Sequence, residues 1–322
     1  MKTIAVYVLT SLPTDYYLEQ LIISAYSLRL HNPEMRITIV VDKETSDSFI
    51  GNRRAINEYV SEIITVDVPV QYNQMQKSRF LKTTLREIVT GDYLFIDTDT
   101  VITSDLSEID SFTCSLGAVL DKHIHLNRHS SYKSIVRYSR LFNWKVPNDG
   151  NYFNSGIMYV KDDPIAHTVY RCWHQYWVDG VLTKNISIDQ PSLAKANEEN
   201  GYPIAEMSGI FNCQVVENGL KYLLDAKIIH YYASNINSWD CPYLFREKAL
   251  YSRIRQNGID SQIHTMILSA KSAFNSKCLI LGGNLCDAYY TTLSGISRRI
   301  FSKMSRFNTF IDCIYNKLTG RI

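Results

Sequence analysis

The chain has 322 residues, 45% of them hydrophobic, and a net charge of +2. That suits one large globular domain with an appendage and excludes a nucleic-acid-binding surface over the whole molecule. Seven cysteines, an odd number with no C-x-x-C, indicate neither a disulfide framework nor a zinc site and fit a reducing compartment. No apolar run approaches the ~18 residues that span a bilayer, and MKTIAVYVLT reads as a strand rather than a signal peptide, so a cytoplasmic protein is expected.

Residues 4–9 are apolar and partly β-branched, the pattern of a buried strand, and 10–15 (TSLPTD) form a turn-rich loop past its carboxyl end. In 18–30, Leu18, Leu21, Ile22, Ala25 and Leu28 fall at helical spacing, and His31-Asn32-Pro33 stops the helix. Residues 37–41 read as a second strand, 45–59 as a helix and 63–66 as a third strand. This β-α-β-α-β order predicts an α/β fold, a mainly parallel sheet flanked by helices. Neither G-x-G-x-x-G nor a P-loop follows the first strand, so those phosphate-binding fingerprints are absent. Residues 77–89 form an amphipathic helix with Phe80, Leu81, Leu85 and Ile88 toward the sheet. Arg79, Lys82 and Arg86 lie elsewhere, and Arg79 and Lys82 are either a solvated basic face or phosphate contacts.

That helix feeds a short apolar strand, 93–96, which ends in Asp97-Thr98-Asp99. In an extended chain residues i and i+2 share a face, so the two carboxylates stand side by side where the strand leaves the sheet. They repel unless a cation lies between them, and carboxylate oxygens suit hard ions such as Mn2+ or Mg2+, which carry substrate phosphates. A strand running into a polar turn, with Asp105 capping a helix, is the plainer alternative. An EF-hand is excluded because Val101 and Ile102 stand where that loop needs a third oxygen ligand and then glycine.

Residues 116–120 read as a strand. His123, His125 and His129 follow without metal-ligand spacing and are expected in a polar loop over the site. Residues 132–147, aromatic and basic, read as a loop or lid. Asn154 and Gly156 open the next apolar strand, which places a polar side chain and a close backbone approach at its start. Residues 164–179 form a helix capped by Asp162 or Asp163, with Pro164 at its first position, Trp173, Tyr176 and Trp177 on an apolar face, and Gly180 ending it. Asp189 is placed to cap the following helix or to bind a ligand. Residues 227–233 form a late strand carrying His230, whose imidazole is an acceptable third ligand for Mn2+. Residues 243–257 turn helical and end at Gly258, and 259–322 carry no strand signal. From Ile296 onward apolar residues recur at helical spacing. Arg298, Arg299, Lys303, Arg306, Lys317 and Arg321 oppose only Asp312, a net +5 (6 − 1) that leaves −3 (2 − 5) for the rest of the chain. Such a basic amphipathic helix suits an anionic membrane surface.

In order, SRFLKTTL, YLFIDTDTVI, YFNSGIMYV, SIDQPSL and IIHYYAS resemble the motifs of glycosyltransferase family 8, over residues 1–240. The resemblance implies a GT-A-type sheet in residues 1–258, with a helical C-terminal appendage, 259–322, whose basic tail associates with membrane. It implies a metal-dependent, anomer-retaining transfer of a hexose from a UDP-sugar to a glycan or lipid-linked glycan, in the manner of bacterial lipopolysaccharide or capsule enzymes. On this resemblance Asp97, Asp99 and His230 bind Mn2+ (or Mg2+). Thr10 and Tyr17 touch the uracil. Arg79, Asp97, Asn154 and Asp189 contact donor sugar or ribose, with Lys82, Thr98 and Ser155 beside them, and Gln190 lies near the anomeric carbon with Asp189 as its catalytic neighbour. Where the family has Gly and then Lys-Pro-Trp after the histidine, this chain has Ala233 and Asn237-Ser238-Trp239, which leaves Lys82 or another cation to reach the phosphates. A protein that binds a nucleotide sugar without efficient transfer is the alternative. A sugar nucleotidyltransferase needs a Gly-rich loop after the first strand, and no glycine precedes Gly51.

Overall fold

A computed structural model describes residues 1–147, 149–232 and 243–273. The chain forms, in order, β1 (Ile4–Leu9), α1 (Tyr17–His31), β2 (Ile37–Asp42), α2 (Lys43–Asp47), β3 (Glu62–Val66), α3 (Gln74–Thr83), α4 (Leu85–Ile88), β4 (Tyr93–Ile96), β5 (Thr100–Ile102) and β6 (Leu116–Leu120). There follow α5 (Tyr132–Phe142), β7 (Phe153–Val160), α6 (Pro164–Lys184), α7 (Gln190–Glu199), β8 (Ile204–Glu206), β9 (Cys213–Gln214), β10 (Ile228–His230), α8 (Lys248–Asn257) and α9 (Ser261–Leu268). Seven strands make one sheet in the order β3-β2-β1-β4-β7-β6-β8, and β5-β10-β9 make a second. Strands β3, β2, β1 and β4 run parallel, β7 runs against both β4 and β6, and β8 runs parallel to β6. The expected mainly parallel α/β sheet is present.

The side chains of β1 divide between two cores, as a period of two requires. Ala5, Tyr7 and Leu9 join the core that includes α1, α8, α9 and the small sheet, whereas Val6 and Val8 join the core under α3, α4, α6 and α7. Ile263 and Ile267 of α9 are buried in the first of these, so the chain past Gly258 packs on the sheet domain at least to residue 273. The tail from Ile296 onward lies outside the described residues.

Four expected elements differ from those observed. The helix expected over 45–59 is the short α2 followed by a 3-10 segment, Gly51–Glu58. The Asp42 side chain accepts from Thr45 N–H and starts α2 early, and Gly51 then takes a positive φ of 54° that breaks the run. The helix expected over 77–89 begins at Gln74 behind an Asn73–Gln76 capping box and is interrupted at Thr84. The hydroxyls of Thr83 and Thr84 bond back to carbonyls of the preceding turn, competing with the backbone ladder. The lid expected over 132–147 is instead helical over α5, which buries Ile135, Ser139 and Phe142. The stop expected at Gly180 does not occur, and α6 continues to Lys184 and ends at Asn185 with φ 54°. Gly180 serves packing: a Cβ there would lie 2.8 Å from the Phe142 ring of α5.

The arginine of the α3–α4 region that was expected outside the core, Arg86, is fully buried. It bonds to the Val89 and Gly91 carbonyls, stands 3.4 Å from Asp162 and lies over the Tyr93 ring. A buried guanidinium of this kind is tolerated because both terminal nitrogens find carbonyl partners and Asp162 supplies the opposite charge, though Nε has no partner among the described residues, and here it holds the turn that leads into β4.

Candidate active site

The site forms where chain ends of opposite direction meet. β4 leaves the sheet at Ile96, and because β7 is antiparallel to it, with Ile96 opposite Ile157, the start of β7 arrives beside Asp97. Asp97 N–H donates to the Gly156 carbonyl at 2.7 Å. β5 pairs with β10 so that Thr100 lies opposite His230, which brings the end of β10 to the same place. Asp97, Asp99 and His230 each present one ligand atom within 4.8 Å of the others. His230 Nε2 lies 3.2 Å from Asp99 Oδ1 and 4.0 Å from Asp97 Oδ2. Two carboxylate oxygens and an imidazole nitrogen make a hard, anionic donor set suited to a divalent cation.

Titration directions fit such a cluster. Burial raises the Asp97 carboxyl, Lys82 and His230 pull it back and the Asp99 charge raises it again, leaving its pKa above the ordinary value. Burial lowers the His230 imidazolium, but Asp99 and Asp97 more than reverse this and its pKa is raised. Without a cation the pair of carboxylates stores like-charge repulsion that protons relieve. The backbone leaves room for the cluster because residue 156 is glycine: a Cβ there would lie 2.4 Å from His230 Cε1, 2.8 Å from Asp97 Oδ2 and 2.9 Å from Asn154 Oδ1. The residues present therefore fit a hard divalent metal ion.

A second charge group adjoins the first. Lys82, on the α3 face expected to meet solvent or phosphate, is buried instead, with Nζ 3.4 Å from Asp97 Oδ1, 3.4 Å from Asp189 Oδ2 and 3.2 Å from Ser155 Oγ. Arg79, 31% exposed, places Nε 3.0 Å from Asp189 Oδ1 without hydrogen-bond alignment. Burial raises the Asp189 carboxyl, but Lys82 and Arg79 more than reverse this and hold it well below the ordinary range. Asp189 precedes α7 without capping it by its side chain, which is spent on Lys82, Arg79 and Ser155 Oγ (2.8 Å). Its carbonyl accepts from Trp173 Nε1 at 3.0 Å and Ser192 Oγ at 2.7 Å. Trp177 Nε1 fixes the Ser187 carbonyl, so the tryptophans of α6 supply donors to this loop as well as core volume. Gln190, first residue of α7, donates to the Phe153 carbonyl at 3.2 Å.

The two base-side candidates lie on flanking loops and helix starts. Thr10 is buried and donates to the Gln74 carbonyl, and the half-buried Tyr17 opens α1 with its N–H on Asp15. Burial and Asp15 raise the Tyr17 hydroxyl pKa. Thr98 sits half-buried between the two aspartates. Asn154 is 4% exposed, and its amide is fully engaged with Gly156 N–H, Asp121, Tyr232 and Asn212. The histidines expected in a polar loop divide: His125 is exposed, His129 is buried on Asp121 at 3.0 Å, and His123 is buried against the Tyr222 ring with Nε2 accepting from Gln214 N–H. Asp121, Asn212, Gln214 and Tyr232 surround the cluster without having been singled out in the sequence. Asp121, Asn212 and Gln214 lie in segments without periodicity, where a buried polar group looks like a surface one, and Tyr232, within the strand expected over 227–233, looks there like a core aromatic.

The sequence matches no family model and no curated protein. Solved structures do match. Against the galactosyltransferase LgtC in complex with donor and acceptor sugar analogues, the chain is 12% identical, with 81% of this chain and 99% of that one covered and a TM-score of 0.53. A mutant of LgtC in which an active-site glutamine is glutamate gives 12%, 81%, 98% and 0.54. The glycosyltransferase GlyE of Streptococcus pneumoniae TIGR4 gives 15%, with 87% and 67% covered and a TM-score of 0.50. The chain has the GT-A fold of these glycosyltransferases.

Proposed function

We propose that the protein is a metal-dependent, retaining glycosyltransferase that moves a hexose from a UDP-sugar to a glycan or lipid-linked glycan acceptor. The observation that carries this reading is the Asp97–Asp99–His230 group at the carboxyl end of β4, with Lys82, Arg79 and Asp189 directly beside it. Asp97, Asp99 and His230 would hold Mn2+ or Mg2+, which supplies charge neutralisation for a diphosphate leaving group. Arg79, partly exposed, and Lys82 offer further positive charge on the same side, Lys82 in the part of the lysine this chain lacks after His230. Thr10 and Tyr17 are assigned to the base, Thr98, Ser155 and Asp189 to the ribose and sugar side, and Gln190 to the face of the anomeric carbon, while Asn154, whose amide is engaged inside the protein, is assigned to orient its neighbours rather than to touch the donor. LgtC likewise has an active-site glutamine.

Gln190 is a neutral amide and a poor nucleophile, so the reading favours front-side attack. The acceptor oxygen bonds to the anomeric carbon as the bond from that carbon to the UDP oxygen breaks, and the acceptor proton passes to the departing phosphate. Residues 1–258 are assigned to the donor-binding catalytic unit. The basic segment from Ile296 onward, which lies outside the described residues, is assigned to the inner face of an anionic membrane. Among the described residues no helix is long and apolar enough to cross a membrane.

Thermal denaturation with UDP-Gal, UDP-Glc, UDP-GlcNAc and GDP-Man, each with and without Mn2+, tests the reading. Stabilisation by one UDP-sugar only when Mn2+ is present is expected. Stabilisation by none of them, or equal stabilisation without metal, sinks it.

A further inference from the structure

We infer that Asn212 is a positioning residue: it fixes which nitrogen of His230 faces Asp97 and Asp99, through a hydrogen-bond chain whose direction is set by the backbone N–H of Gly156. This inference rests on the metal-site reading above. The orientation of an amide, like the tautomer of a histidine, is decided by its partners, and a chain of such groups is determinate only if one end is a group that can play a single role. Gly156 supplies that end.

The Gly156 N–H can only donate, and it points at Asn154 Oδ1 at 2.9 Å. That atom is therefore the oxygen. The remaining nitrogen of the Asn154 amide has two hydrogens, and two acceptors meet it, Asp121 Oδ1 at 2.9 Å and the Tyr232 hydroxyl oxygen at 2.7 Å. Asn154 Oδ1 also faces the Asn212 amide at 2.9 Å. An oxygen acceptor there requires the NH2 end of Asn212. The other end of Asn212, its Oδ1, then faces His230 Nδ1 at 3.1 Å. A carbonyl oxygen only accepts, so Nδ1 carries a hydrogen. His230 Nε2 is left as the atom that stands toward Asp99 Oδ1 and Asp97 Oδ2, and in the neutral ring it carries the lone pair that a cation requires.

The chain is isolated from water, which would otherwise supply substitute partners. Asn154 is 4% exposed, Asn212 0% and His230 3%. The ring of His230 is also held on its face. Tyr232 stacks on it with centroids 4.5 Å apart and planes at 22°. Tyr232 holds a left-handed φ of 52°, a costly conformation for a tyrosine, and its hydroxyl is tied to Asp121 and Gln214. Rotating the imidazole by half a turn would set a carbon against Asn212 Oδ1, so both the ring's orientation and its tautomer follow from one backbone donor.

The test uses the full chain labelled with 15N-histidine. Long-range 15N–1H correlation at a pH where His230 is neutral reads its tautomer directly, and titration calorimetry with Mn2+ reads affinity. In the wild-type protein the Nδ1–H form is expected. Asn212→Leu, which keeps the volume and removes the acceptor, is expected to shift His230 toward the Nε2–H form and to weaken Mn2+ binding roughly 10- to 100-fold. An Nε2–H tautomer in the wild-type protein overturns the inference, as does Asn212→Leu with unchanged tautomer and affinity. The wild-type spectrum decides the matter even if the variant does not fold. If the wild-type protein binds no Mn2+, the functional reading fails while the tautomer measurement still decides the part of Asn212.

Discussion

Gly156 shows how much a single position can control. Its carbonyl receives Asp97 N–H, its own N–H orients Asn154, and its missing side chain leaves the space into which His230, Asp97 and Asn154 converge. The neighbours a Cβ would strike are ligand atoms and a stacked ring rather than the tips of flexible side chains. Gly156→Ala should therefore displace the imidazole and one carboxylate, lowering Mn2+ affinity at least tenfold on the scale of lost ligand orientation. Calorimetric titration of a variant that keeps the wild-type circular dichroism spectrum checks this, and wild-type affinity in such a variant would falsify the crowding argument. Lys82 makes the complementary point. Its sequence context allowed a solvated face, yet its side chain is 3% exposed and its ammonium lies between two carboxylates, a placement that keeps Asp189 ionised and draws it toward the metal-ligand group.

At the level of elements, the site is built from ends: the end of β4, the start of the antiparallel β7, the end of β10 and the start of α7. Ligands in open α/β sheets gather at strand carboxyl ends, and the reversal of β7 adds its first residues to the same edge. Helix α6 is the buttress. Trp173 is fully buried and donates to the Asp189 carbonyl, so its loss removes packing and loop fixation together. Trp173→Phe keeps most of the ring volume and deletes the donor. It is expected to lower unfolding stability by about 1–3 kcal/mol and to weaken stabilisation by a UDP-sugar while leaving that by Mn2+ alone unchanged. Urea unfolding and paired thermal shifts distinguish this from an effect on α6 packing, which would change stability and leave the donor shift intact.

For the whole molecule, folding commits several ionisable groups to one protonation state, and acid should expose the cost. His123 is the clearest case. Burial, with Lys221 nearby, lowers its pKa to about 3, and Nε2 is occupied as an acceptor. Because the folded value lies below the unfolded one of about 6.5, the unfolded chain binds a proton between these limits and the folded chain does not. Stability is full above pH 6.5 and falls as pH is lowered, by about 1.4 kcal/mol per unit for one group. Urea unfolding at pH 7 and pH 5 should show the wild-type protein losing roughly 2 kcal/mol more than His123→Gln. Equal losses would show that the His123 ring protonates without unfolding.

The sequence by itself determined the parts whose signal is local. Strands β1, β2, β3, β4, β6 and β7 were legible because buried strands are short apolar runs with turn residues at their ends. The β-α-β-α-β order fixed a mainly parallel sheet through the handedness and length of its connections, and Asp97-Thr98-Asp99 declared a paired-carboxylate edge by period alone. Helix α5 was hidden because its three buried residues are separated by basic and aromatic ones, and Gly180 misled because a glycine that admits Phe142 looks in sequence like one that ends a helix. Only the tertiary structure decided that Lys82 and Arg86 are interior, that Asn154 spends its amide inside the protein, and that Asp121, Asn212 and Tyr232 surround His230. Those facts depend on contacts between residues far apart in the chain, and burial with satisfied partners is a property of the packed molecule rather than of any segment.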